Sequence, residues 1–269
     1  MPNRRLVVFF FVFAAIVVLA ARAEAQFSVA GSGSPEDYHV ELGVNFWKPS
    51  PDIVIRAGAG STDVDLIDIF SIEDAQFTEF KGVLKAGRKH KIRFQYVPIA
   101  YAKDTTVNRT FTFQGRTFTV NVPASTDFKW TLMRFGYEWD VVSTDRGFVG
   151  VFGDVKYNTV EATLSSPVVG TTATDVTAPI PTIGGIARGY LGSSVSVTGE
   201  FTGLKITRDE FEGKFFDFDI YGTLNLGRHI GIQGGYRSLD VDYLTNDGAD
   251  VDSGTFKMKG PYFGGVVRF

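Results

Sequence analysis

From residue 38 onward the chain alternates apolar and polar side chains with a period of two, the spacing of strands that have two unlike faces. Phe216, Phe218, Ile220, Gly222, Leu224 and Leu226 share one face, while Asp217, Asp219, Tyr221, Thr223 and Asn225 share the other. A helix would mix the two sets. The same alternation sets Val40, Leu42, Val44 and Phe46 against Glu41 and Asn45, and Ile92, Phe94 and Tyr96 against Arg93 and Gln95. It recurs with Val149, Val151, Val155 and Tyr157 against Asp154 and Lys156. Ten strands are predicted in this way, near 38–47, 77–87, 89–102, 127–142, 147–162, 180–191, 194–206, 213–227, 229–243 and 254–269.

The connections between these segments fall into two sets. Those at Gly87-Arg88, Ser143 to Arg146, Gly192-Ser193 and Gly227-Arg228 are tight and would lie on one rim. Those at 48–76, 103–126, 163–179, 207–212 and 244–253 are longer and would lie on the other. A transmembrane, antiparallel, up-and-down β-barrel of ten strands has this asymmetry, and an even count returns both ends of the chain to the short-turn side. Eight or twelve strands are the alternative counts, the larger because Phe111 to Phe118 reads as an additional hairpin at an extended rim. Two segments depart from strict phase. Apolar residues move from Phe128, Trp130 and Leu132 to Phe135, Tyr137 and Trp139, and from Ile230, Ile232 and Tyr236 to Leu239, Val241 and Tyr243. Either a bulge or an outer half standing clear of a bilayer accounts for such a change.

Charge distribution assigns the faces. The polar face carries Glu41, Glu79, Lys81, Arg93, Arg134, Glu138, Asp154, Lys156, Arg188, Glu200, Asp217, Asp219, Arg237 and Arg268, seven acidic and seven basic residues. Gathered in one interior they can neutralise one another, whereas unpaired burial is very costly. The apolar face then looks outward, toward lipid. Aromatics near strand ends, among them Phe46, Trp47, Tyr101, Trp139, Tyr157, Tyr236 and Phe263, suit interfacial girdles. In a barrel of this size a balanced set of charges is expected to close the lumen or leave it very narrow.

The N-terminal 25 residues read as a secretory signal: Arg4 and Arg5, an apolar core from Leu6 to Ala21, then Ala23-Glu24-Ala25 as a cleavage site. Cleavage would remove three Arg and one Glu and move the net charge from −3 to −5. Residues 26–37 read as a flexible lead-in and 38–269 as the barrel. The chain has no cysteine, so disulfides and thiolate metal sites are excluded, and its acidic balance gives no footprint for nucleic acid.

The last ten residues, Gly260-Pro-Tyr-Phe-Gly-Gly-Val-Val-Arg-Phe269, place Pro261, Phe263, Gly265, Val267 and Phe269 on one face. With the export signal, this strand resembles those of Gram-negative outer-membrane β-barrel proteins of the small opacity type. The resemblance implies an outer-membrane location, contact with lipid and lipopolysaccharide, and folding by the outer-membrane assembly machinery, with Phe263, Val267 and Phe269 as the assembly signal. It also implies a structural or surface-interaction role through external loops, with no cofactor, no metal and no catalytic residue. A narrow channel for small solutes, a secreted soluble barrel holding an apolar ligand and an outer-membrane enzyme are the other readings. Enzymes of this architecture generally use a His near the outer rim, and His39, His90 and His229 all map to the short-turn rim instead.

Overall fold

The computed structural model describes residues 37–269 except Ala59, Ser193, Asp209, Glu210, Gly248 and Ala249. The signal segment 1–25 and nearly all of the lead-in 26–37 lie outside the described residues. The elements in chain order are β1 (Val40–Trp47), β2 (Ser50–Arg56), β3 (Val64–Asp65), α1 (Leu66–Phe70), β4 (Phe77–Gly87), β5 (His90–Thr106), β6 (Phe111–Phe113) and β7 (Arg116–Phe118). There follow β8 (Pro123–Thr144), β9 (Gly147–Ser166), β10 (Gly170–Tyr190), β11 (Val195–Arg208), β12 (Phe211–Asn225), β13 (Ile230–Asp247) and β14 (Asp250–Arg268).

Ten of these strands form a closed antiparallel barrel. β1, β4, β5 and β8 to β14 pair in that order, and β14 returns to β1. Closure runs from Glu41 opposite Arg268 to Trp47 opposite Tyr262. It is sealed where Phe269 N donates to Val40 O at 2.9 Å and Val40 N donates to Phe269 O at 3.0 Å. β2 then continues β1 along β14 in the same register, from Ser50 opposite Lys259 to Arg56 opposite Ser253. Glycine makes this seam possible. A Cβ on Gly260 would lie 2.1 Å from Lys48 O, and one on Gly264 would lie 2.2 Å from Val44 O.

The tight connections stand where the sequence places them, but the strands run further at the opposite end. β8, β9 and β10 have 22, 20 and 21 residues, about twice the 9–11 residues that cross a bilayer. Thus 163–179, expected as a loop, is mostly the β9–β10 hairpin, and the expected hairpin at 111–118 is β6 and β7. β4 begins only at Phe77, so the wall between β2 and β5 is incomplete at the long end. There β3 pairs with β2, and α1 packs Leu66, Ile69 and Phe70 inward. Asp65 caps α1 by accepting from the amides of Ile67 and Asp68, both at 3.0 Å.

No bulge lies at either apparent phase change. Burial alternates without a break from Ala124 to Asp140, so Phe128, Trp130 and Leu132 enter the barrel on the same face as Arg134 and Glu138. What changes is the chemistry of the inward face, charged toward the short turns and apolar toward the long end. The outward face changes in the opposite sense. Met133, Phe135, Tyr137 and Trp139 form an exposed apolar stretch of β8, followed by Lys129 and Asp127, which pair at 3.0 Å. On β12, Phe216, Phe218 and Ile220 are exposed while Asp217 and Asp219 are buried, and beyond Phe216 the outward residues are Lys214 and Glu212. The register irregularity in β8 lies instead between Asp140 and Val142, beside the short turn.

The barrel wall also splits once. β10 pairs with β9 along its whole length, but with β11 only from Tyr190 to Ile183, the last residue opposite Gly203. Beyond that point come Pro181 and Pro179. Tyr190 N donates toward β9, to Arg146 O at 2.9 Å. Strand alternation therefore turns the backbone nitrogens of odd-numbered β10 residues toward β11. Both prolines withhold a donor from that side, and the ladder stops there.

The apolar belt carries a measurable expectation. Ile220→Arg is expected to destabilise the protein in lipid vesicles by about 2–4 kcal/mol, read by urea titration. Glu212→Arg, on the same face but past the belt, is expected to stay within about 0.5 kcal/mol of the parent.

Candidate functional site in the barrel interior

All fourteen charged residues of the polar face point into the barrel, with Lys81 the most accessible, its side chain 17 % exposed. They are positioned by the pleat alone: each is an alternate residue of a strand whose intervening side chains look outward. Together they form three connected layers.

Nearest the short turns, Arg268 Nε binds Glu41 Oε2 at 2.5 Å and its Nη1 donates to Asn225 Oδ1 at 2.6 Å. On the facing wall Lys91 bridges Glu138 and Asp140, both at 2.9 Å. Arg93 joins this layer to the next. It donates to Glu138 at 2.6 Å through Nη1 and to Glu200 through Nη2.

In the middle layer Arg134 spans Asp154 at 2.5 Å and Glu200 at 3.1 Å. Opposite it, Lys81 reaches Asp219 at 2.6 Å, and Tyr262 donates its phenol to the same carboxylate at 2.8 Å. The third layer centres on Arg237. Its Nε and Nη2 hold both oxygens of Asp217 at 2.9 Å, while its Nη1 reaches Glu79 at 2.6 Å. Lys156 binds Asp217 at 3.0 Å, and Asn45 and Gln95 donate to Glu79 at 2.9 and 2.5 Å. Two aromatics lie over this layer, Trp47 with its ring 5.2 Å from the Arg237 guanidinium and Phe215 with its ring 4.4 Å from Lys156 Nζ.

Above those rings the interior is apolar. Ile53, Ile99, Phe128, Trp130, Leu239, Phe256 and Met258 are all buried there. Trp47 and Tyr101, expected as girdle aromatics, belong to this inner cluster and not to the outer surface. Parity explains the difference for Trp47, since it shares the inward face of Glu41 and Asn45. Phe46, Trp139, Tyr157, Tyr236 and Phe263 do look outward.

Several interior polar groups escaped the sequence reading, chiefly Lys91, Asp140 and Tyr262. Parity was the available signal: Lys91 shares the face of Arg93, and Asp140 that of Glu138. The histidines stay at the short-turn rim. His90 contacts Tyr137 OH at 2.5 Å, and His229 lies 2.9 Å from Arg268 O. Among the described residues no group of His, Asp and Glu is arranged to hold a metal ion, and no helix is long and apolar enough to cross a membrane.

The network has a testable energetic signature. Glu79→Ala leaves Arg237 and Lys81 each short of a buried partner and is expected to lower stability by about 3–5 kcal/mol. Glu79→Gln, which keeps an acceptor for Asn45 and Gln95, is expected to lose less, both measured by urea unfolding.

No protein-family model and no curated protein matches this chain in sequence. Among solved structures, the outer-membrane protease OmpT from Escherichia coli superposes with a TM-score of 0.54 at 8 % identity, covering 90 % of this chain and 99 % of that one. Ail, the attachment invasion locus protein of Yersinia pestis, gives 0.38 at 11 % identity over 86 % of this chain and 99 % of its own. The Pseudomonas putida toluene transporter TodX gives 0.37 at 7 % identity over 86 % and 90 %. The closed ten-strand barrel and its superposition on OmpT give the chain the fold of the outer-membrane β-barrel proteins.

Proposed function

We propose that this protein stands in the outer membrane as a sealed barrel and works through the part that projects beyond the lipid. The observation that carries the reading is the filling of the lumen. The charge layers leave a void of about 30 Å³ beside Lys81, Arg93 and Glu200, space for a water molecule or two. A void of that size is too small for an ion with its hydration shell, and the apolar cluster above Trp47 and Phe215 closes the barrel a second time. This supports a closed lumen over the narrow channel.

The projecting part supports a role outside the membrane. It has its own core, in which Phe70 of α1 meets Phe111 with ring centroids 6.4 Å apart and Phe111 stacks on Phe118 at 5.0 Å. Its outer wall is charged, with Lys257 near Asp52 at 3.8 Å and Lys259 near Asp240 at 3.6 Å. A rigid, hydrated platform of this kind suits contact with other surfaces or with the lipopolysaccharide around it. In this reading the short turns face the periplasm, the export signal delivers the chain, and the strand ending at Phe269 is handed to the assembly machinery. No catalytic step is assigned to the barrel.

Two measurements test the reading. Planar-bilayer recordings are expected to show no stable conductance steps for the parent protein, and regular openings would overturn the sealed lumen. Because the chain has no cysteine, single Cys reporters give its orientation. Val168→Cys, in the β9–β10 turn, is expected to react with an impermeant maleimide on intact cells, and Arg228→Cys only after lysis; the opposite result would invert the topology.

A further inference from the structure

The split between β10 and β11 opens into a second hollow, separate from the charge layers. It has a volume of about 250 Å³ and lies between the unpaired stretch of β10, the outer ends of β11 and β12, and the inner faces of Trp130 and Phe256. Its floor includes Phe215, the ring that covers Lys156, so the hollow ends blindly above the charges. Its mouth is flanked by Pro179, Pro181 and Phe211, at the level where the outward apolar belt gives way to charged residues.

Both size and chemistry restrict what fits. The volume exceeds the roughly 150 Å³ apolar cavity that accepts benzene and falls below the 300–1,000 Å³ range of pockets for larger ligands. Several polar groups of the lining are already engaged. Trp130 Nε1 donates to Asn158 Oδ1 at 3.1 Å, and Asn158 Nδ2 donates to Lys156 O at 3.2 Å. Lys214 lies near Asp242 at 3.7 Å, and Asp252 accepts from Gly58 N at 2.7 Å. Burial, with Asp252 nearby, pushes the Tyr243 phenol up to about 12, so it stays neutral. A polar ligand would find few free partners here, whereas an apolar one displaces only loosely held water.

We propose that this hollow is a binding site for one hydrocarbon chain, which enters sideways through the β10–β11 split and is held against Trp130 without passing into the lumen. The chain has two sources, an acyl tail of the surrounding lipid or a free alkane-like molecule. The entry route rests on the membrane placement proposed above, and the two can fail separately.

Tryptophan emission tests both, because the sequence has three Trp residues, Trp47, Trp130 and Trp139. Full-length W47F/W139F protein in vesicles carries Trp130 as sole reporter, and W47F/W130F carries the outward Trp139. Two probes are used: phospholipids with brominated acyl chains, and 1-bromooctane added to unbrominated vesicles. Trp130 is expected to be quenched by about twofold, as for a probe mostly enclosed by its pocket, and adding V160F/L204F to fill the hollow is expected to abolish the effect. Quenching by the brominated lipid assigns the acyl tail, and quenching by bromooctane alone assigns the free molecule. If Trp130 responds to neither probe, or equally in the filled variant, the site is refuted. If Trp139 escapes the brominated lipid, the membrane placement fails instead. Should V160F/L204F fail to fold, Ala178→Phe on the same lining serves as the filled variant.

Discussion

A backbone amide or carbonyl facing hydrocarbon has no water to bond, so a sheet that crosses a bilayer must pair every strand on both sides. That constraint organises the whole chain. Within the apolar belt each of the ten strands has two partners, and the last register, Glu41 opposite Arg268 through Trp47 opposite Tyr262, leaves no free edge. The larger departures from full pairing occur toward the end where the outward face turns polar. There β4 is absent beside the outer half of β5, and α1 with β3 occupies the gap. There, too, β10 parts from β11 just past Ile183.

Closure forces an interior, and ten strands enclose slightly more space than simple aliphatic packing fills. The chain uses two fillings on one uninterrupted pleat. At belt level the outward positions must be apolar, so solubility, register and specificity devices fall on the inward ones, as opposed carboxylates and guanidiniums. Such ions are tolerable because nearly every one meets a partner of opposite sign and further hydrogen bonds, as Glu79 does from Arg237, Asn45 and Gln95. Beyond the belt the outside is water, the charges move to the outer wall, and the inward face becomes an ordinary hydrophobic core. Trp47 and Phe215 mark the junction, each presenting a ring face to a cation below and apolar carbon above.

This inversion also explains what could be read from the sequence. Strand positions, tight turns and the inward charges follow from a period of two, which the pleat imposes on every residue whatever lies outside. The reversal at Leu132 to Arg134 looked like a possible slip in phase because hydrophobicity was taken as a marker of one side. Parity kept the side, and the solvent changed. Strand ends were read short for the same reason, since stretches such as 163–179 have no apolar belt to mark them and pair through the backbone. Which carboxylate meets which guanidinium was not legible, because partners such as Glu79 and Arg237 lie 158 residues apart and are joined only by the closing of the barrel.

The two prolines of β10 show how a local covalent feature sets a global one. An ordinary residue at position 181 would extend the β10–β11 ladder outward and draw the edges together. Without the amide hydrogen the strand keeps its bonds to β9 and forgoes those to β11, which leaves an edge that cannot recruit another strand by donating at these positions. Pairing is relinquished only past Ile183, where water is within reach of the remaining carbonyls. The opening is thus deep enough to uncover the apolar core above Phe215, yet too shallow to reach the charge layers. A split so placed would admit the proposed hydrocarbon chain from the side without opening the charge layers below.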